Sequence, residues 1–138
     1  MPLRASDLHV GDVHDEQVCY DLSRTQIVQY AGASGDYNPL HTDEPAAQHR
    51  GFPSVFAHGM LTMGMTGKML TNWVGDGRLT RFGARFVNQV WPGDTLTARA
   101  TVRGVIDRDG QKLVELDLET VNETGTVVLT GYATARVD

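Results

Sequence analysis

Gly59-Met-Leu-Thr-Met-Gly-Met-Thr-Gly-Lys-Met-Leu-Thr-Asn-Trp-Val74 is the longest apolar-looking run in the chain, and its reading decides the fold. It is shorter than the ~20 apolar residues a bilayer span needs and carries Lys68 and several threonines, so it is too polar for a membrane. Methionine, leucine, glycine and threonine occupy nearly every side of it, as expected of a helix buried along most of its length. Gly64 and Gly67 each cost about 1 kcal/mol relative to alanine in a helix interior, a cost that close approach of strands or another helix would offset.

Downstream of Gly75 the period changes to two. Phe82, Ala84, Phe86, Asn88 and Val90 share one face of a strand, and Arg81, Gly83, Arg85, Val87 and Gln89 share the other. Trp91-Pro-Gly-Asp94 has proline and glycine where a type II turn wants them. Leu96, Ala98, Ala100, Val102 and Ile106 mark the next strand, up to Asp109-Gly110. Val114, Leu116 and Leu118 mark a third, Asn122 to Gly125 turns the chain, and 126–137 supplies a fourth.

Upstream, Val18, Tyr20 and Leu22 alternate with Gln17, Cys19 and Asp21, a half-buried strand over Val13 to Leu22. Ser23-Arg-Thr-Gln26 fits a capping box, and Ile27, Tyr30 and Ala31 follow at helical spacing to about Ala33. Thr42-Asp-Glu-Pro45, with an N-cap candidate, early acids and a tolerated proline, starts a further helix that stops near Arg50-Gly51. About five strands and one long apolar helix to fill their inner side make an α+β design, a single domain over residues 1–138. Its sheet edges need covering, which favours a dimer whose sheets meet edge to edge.

A length of 138 residues, 41% of them hydrophobic, supports one core and leaves little room for a second. A net charge of −5 with no basic tail argues against nucleic-acid binding, which draws on counterion release at a basic surface. The N-terminal residues lack the apolar segment of a signal peptide. The lone Cys19 excludes an internal disulfide framework and suits a reducing compartment, so a soluble cytoplasmic protein is expected.

Between the first helix and the long one lie the residues that could carry chemistry, in AGASGDYNPLH (31–41) and FAHGMLTMGMTGKM (56–69). Pro39 lacks an amide hydrogen and pushes Asn38 toward an extended conformation, so a loop and not a helix face brings Asp36 and His41 together. A carboxylate and an imidazole so placed can share a water and move its proton. On local sequence alone, Asp36 as a turn starter and His41 as an ordinary loop residue is the plainer account, and Asn38 shapes the turn. Gly59 opens the long helix, where free amides and the helix dipole could hold a developing negative charge; a flexible helix entry explains it equally well. His58 reads as a structural hydrogen-bonding residue. A metal set drawn from Asp36, His41, His49 and His58 fits neither an i, i+4 pair nor a short chelating pair, so no metal is expected. Arg78, Arg81 and Arg85 form a basic stripe that could meet phosphates or simply solvate a surface. Serine-hydrolase elbows, P-loops and dinucleotide glycine fingerprints are absent from the sequence.

The two motifs together resemble the hydratase motif of the MaoC-like (R)-specific enoyl thioester hydratases and dehydratases, and the likeness extends over nearly the full chain. Within that family they look closest to the catalytic subunits of mycobacterial (3R)-hydroxyacyl-carrier-protein dehydratases. The resemblance implies a hotdog fold and a hydro-lyase of fatty acid metabolism. It would add water to trans-2-enoyl thioesters, or remove it from (3R)-hydroxyacyl thioesters, carried on coenzyme A or an acyl carrier protein, without metal or redox cofactor. It implies that Asp36 and His41 activate the water and that the Gly59 amide holds the thioester oxygen. Asn38, Arg81 and Arg85 are further candidate substrate contacts, from their residue types and places in the chain and not from the resemblance. The resemblance also implies a homodimer, or a heterodimer with a second hotdog chain. A supporting serine of some family members falls at Gly67, where Thr62 or Thr66 could stand in. Two other readings are a noncatalytic acyl-binding or stabilising subunit of a hotdog heterodimer, and a thioesterase, which would release free thiol.

Overall fold

In a computed structural model, which describes residues 2–138, five antiparallel strands form one sheet in the order β1-β3-β4-β5-β2. The strands are β1 (Val13–Cys19), β2 (Leu79–Phe86), β3 (Leu96–Arg108), β4 (Gln111–Val121) and β5 (Val127–Arg136), and the helices are α1 (Arg24–Ser34), α2 (Glu44–His49) and α3 (Gly59–Val74). α3 lies against β1, β2, β3 and β5, the sheet-around-helix arrangement expected above. None of the described helices is long and apolar enough to cross a membrane.

The core follows from side-chain size. Met69, Leu70 and Val74 of α3 pack with Val102, Val114, Leu116 and Leu118, while Ala98, Ala100, Ala133 and Ala135 keep the sheet surface low enough for the helix to approach. Burying each large side chain stabilises by about 1.5–3 kcal/mol. A second cluster, including Leu22, Ile27, Ala57, Val90, Leu96 and Leu129, lies beneath the loops. Cys19 belongs to it at 6% exposure, and burial, then Asp94 and Asp21, push its thiol pKa up.

α3 is not buried all round. Met60, Gly64, Lys68 and Asn72 recur every fourth residue and form an exposed stripe, opposite Thr62, Thr66, Met69 and Leu70. Only one of the two interior glycines is explained by close approach. A Cβ at Gly67 would sit 3.1 Å from the Phe82 ring, whereas one at Gly64 would meet nothing.

Three strand expectations also change, two through slips in the ladder and one because the chain leaves it. The β1–β3 register slips between Gln17 and Cys19, so β1 ends at Cys19, with Cys19 turned inward and Tyr20 76% exposed. A slip between Val102 and Gly104 pairs Val105 with Val114 and packs Val105, not Ile106, against the core. β2 ends at Phe86 and not Val90. The chain beyond it peels away, Val87 N–H and Asn88 Nδ2 donating to carbonyls at the start of β5 and the Val90 carbonyl accepting from Ala57 N–H at 2.8 Å. That last bond holds the loop ahead of α3 in place.

Candidate active site

α1 forms where the capping box places it: Gln26 N–H donates to Ser23 Oγ (3.0 Å) and Ser23 N–H to Gln26 Oε1 (2.9 Å). Asp43 caps α2 through Ala46 N–H. Arg24 joins the two helices by a 2.8 Å bond to Glu44, which holds the Glu44 carboxyl below the usual range. Between them, Asn38 N–H donates to Asp36 Oδ1 (3.3 Å) and Leu40 N–H to Asn38 Oδ1 (3.1 Å), folding Pro39–His41 into one 3₁₀ turn. Asn38 therefore shapes the turn, as its type suggests.

This turn brings Asp36 Oδ2 to 4.0 Å from His41 Nε2. His41 is anchored from its other side, Nδ1 lying 2.7 Å from the Phe56 carbonyl. A carbonyl oxygen only accepts, so Nδ1 carries the hydrogen and the neutral ring keeps its lone pair on Nε2, facing Asp36. The 4.0 Å gap is too long for a direct hydrogen bond and suits a bridging water. Exposure differs across it: the Asp36 side chain is 54% exposed and that of His41 only 11%.

The segment before α3 grips the turn at both ends. Phe56 N–H donates to Leu40 O (3.3 Å) while its carbonyl holds His41, and His58 Nε2 donates to the Asp36 carbonyl at 3.0 Å. The His58 and His41 rings stack with centroids 3.8 Å apart.

Gly59 begins α3, and its N–H has no acceptor among the described residues, leaving a donor at the positive end of a helix. A Cβ on residue 59 would lie 2.6 Å from Phe86 Cδ2, so any other residue there would have to displace the Phe86 ring. Phe86, Gly59, Thr62, Phe56, Val90 and Val128 line a cavity of about 230 Å³.

Arg81 and Arg85 do not join this group. They lie on the opposite face of β2 from Phe82 and Phe86, with the Arg81 guanidinium 4.7 Å over the Tyr132 ring, and Arg78 pairs with Asp138 at 2.8 Å. Nor does Thr66 support the pair in place of the family serine; its hydroxyl bonds the Thr62 carbonyl and Thr120 Oγ1. Asp36, His41 and His58 offer metal-ligating atoms within 4.8 Å of one another, with His49 outside the set. His58 Nε2 and His41 Nδ1 are already committed to carbonyls, so a cation would find only His41 Nε2 and the Asp36 carboxylate free on the open side. The donor set suits proton transfer better than a metal. Sequence reading missed the Phe56 carbonyl and the Phe86 ring: a main-chain acceptor has no residue signature, and the Phe86 contact is long-range.

A family model, the MaoC like domain, matches residues 7–124. The chain belongs to the MaoC-like domain family. This MaoC-like domain is 37% identical over 123 residues to an (R)-specific enoyl-CoA hydratase of Rhodospirillum rubrum, covering 84% of this chain and 80% of that one. It is 36% identical to a Mycobacterium tuberculosis enoyl-CoA hydratase, across 79% of this chain but only 37% of the relative. The domain spans 5% of the Saccharomyces cerevisiae fatty acid synthase β subunit it matches and 13% of that yeast's peroxisomal hydratase-dehydrogenase-epimerase. Among solved structures, the unliganded R-hydratase of Pseudomonas aeruginosa superposes with a TM-score of 0.86 at 24% identity, over 99% of this chain and 86% of that one, a likeness of fold. A (3R)-hydroxyacyl-ACP dehydratase complex of M. tuberculosis gives 0.71 at 22% identity, over 92% of this chain and 96% of that one.

Proposed function

We propose that this MaoC-like domain hydrates trans-2-enoyl thioesters to (3R)-hydroxyacyl thioesters, or catalyses the reverse, on coenzyme A or an acyl carrier protein. The observation that carries this is the 4.0 Å pairing of Asp36 Oδ2 with Nε2 of a His41 ring held through Nδ1 by the Phe56 carbonyl, adjoining a helix that opens with a free Gly59 amide. A water held by Asp36 and His41 gives one proton to His41 Nε2 while its oxygen bonds to C3 of the enoyl group. The π electrons move onto the thioester oxygen, where the Gly59 N–H stabilises the enolate. The pair then returns the proton to C2, so the product differs from the substrate by one water.

The acyl chain would enter the cavity beneath Phe86. A second hotdog chain, identical or not, would add to the β2 edge, which ends the strand order and is flanked by Met60, Phe86 and Val87, three apolar side chains at 54%, 46% and 41% exposure. Light scattering of the purified chain alone, and with a co-expressed second chain, decides between the two pairings.

The test of activity is loss of enoyl absorbance with crotonyl and longer enoyl-coenzyme A. Asp36→Asn and His41→Ala are each expected to lower turnover at least about 100-fold, the scale for losing a positioned acid or base. Near-normal turnover in either folded variant refutes the assignment. Release of free thiol would favour a thioesterase instead.

A further inference from the structure

We propose that His58 is a positioning residue of the same site, holding Asp36 through its main chain; this rests on the hydratase reading above. His58 is 2% exposed, and its Nε2 donates to the Asp36 carbonyl at 3.0 Å across 22 residues of sequence. Its Nδ1 is buried with no hydrogen-bond partner among the described residues, where the Asp36 bond is the only one the ring makes. As the residue just before α3 it occupies the N-cap position, where Ser, Asp or Asn would accept from the helix and stabilise it by about 1 kcal/mol. His58 makes no such cap. Its side chain turns to the catalytic loop instead, leaving both the cap and a buried nitrogen unsatisfied.

The geometry gives that arrangement a purpose. Asp36 is exposed and, among the described residues, its carboxylate is bonded only by the nearby Asn38 N–H, so little but the loop backbone sets where Oδ2 points. His58 fixes that backbone at residue 36, while the Phe56 carbonyl fixes the ring of residue 41. Because His58 immediately precedes Gly59, one short segment sets the distance between water and oxyanion donor as well as that between acid and base. The stacked His41 ring, with centroids 3.8 Å away, is seated on the same side chain. Loss of the Nε2 donor leaves Asp36 free to drift, and a misplacement near 1 Å costs catalysis on the order of 100-fold.

The test compares His58→Phe, which keeps a ring against His41 but has no donor, with His58→Gln, whose amide can reach the Asp36 carbonyl. Hydration of crotonyl-coenzyme A is measured on the full chain together with any partner it requires. His58→Phe is expected to lower kcat by about 10- to 100-fold with KM within about 3-fold of wild type, and His58→Gln to recover most of the loss. Amide hydrogen exchange over residues 36–41 should quicken in His58→Phe and slow again in His58→Gln. Wild-type kcat in folded His58→Phe, a Gln variant no better than Phe, or unchanged exchange each overturns the proposal. His58→Met replaces Phe if the latter does not fold. A wild-type chain without hydration activity would refute the hydratase reading, and the exchange comparison would then decide the role of His58 by itself.

Discussion

Thr66→Val probes the polar link at the centre of the molecule. Thr66 and Thr120 are both fully buried, with Thr66 Oγ1 2.7 Å from Thr120 Oγ1 and 3.0 Å from the Thr62 carbonyl. Two hydroxyl hydrogens serve this chain of three oxygens: Thr66 donates to Thr62 O, and Thr120 donates to Thr66. Valine at 66 leaves the Thr120 hydroxyl without an acceptor in a dry core, a cost of about 1–3 kcal/mol. Valine at 120 leaves Thr66 still bonded to Thr62, so the loss is smaller, about 0.5–1.5 kcal/mol. Removing both hydroxyls leaves nothing unpaired, and the double variant should lie close to wild type. Thermal unfolding followed by circular dichroism reads the order directly, at roughly 3–5 °C per kcal/mol for a chain of this size. Additive losses in the double variant would refute the coupled arrangement. The same proteins test the site, since Thr66 does not reach Asp36 or His41 and turnover in Thr66→Val should stay within about 3-fold of wild type, no transition-state contact being lost. A tenfold fall in a folded variant would mean that Thr66 supports the catalytic pair after all.

Two further outcomes follow from local geometry. Gly67→Ser presses a Cβ to 3.1 Å from Phe82, so Tm should fall by the equivalent of about 1 kcal/mol and recover on adding Phe82→Leu; an unchanged Tm would show that the ring yields freely. Asp94, 8% exposed, has its carboxyl pKa raised chiefly by burial and further by Glu123, although Trp91 N–H bonds it at 2.9 Å. Between the ordinary carboxylate value and the raised one, the folded form holds more of this proton than the unfolded form, so stability falls as pH rises through that interval. Asp94→Asn, which keeps the acceptor for Trp91, should flatten that part of the stability profile measured by urea unfolding, and an unaltered profile would contradict it.

Local signals carried most of the architecture. The capping box at Ser23, the Trp91–Asp94 turn and the period-two strands each depend on residues within a few positions of one another; the cap and the turn stand as read, and so does the number of strands. Pro39 likewise announced that Asp36 and His41 meet across a loop. The misreadings arise where a partner strand intervenes. Tyr20 and Ile106 had the right alternation, but slips opposite β3 and β4 moved Cys19 and Val105 into the core positions. The pattern through Val90 continued the strand on paper, yet the Val90 carbonyl bonds Ala57 instead of a ladder neighbour. α3 looked apolar all round because Met60 and Gly64 do not register as exposed by type. In the site, the side chains were legible and their settings were not: the acceptor for His41 is a main-chain oxygen, and the reason for Gly59 is a ring 27 positions later.

The Phe56 carbonyl has one more consequence. The group that selects the His41 tautomer is peptide backbone, while the side chain of the same residue lines the cavity. The Phe56 ring also stands edge-on to the His41 ring, with centroids 5.2 Å apart. Substitution at position 56 thus leaves the main-chain acceptor that sets the tautomer in place, while it alters a wall of the cavity and the seating of the imidazole together.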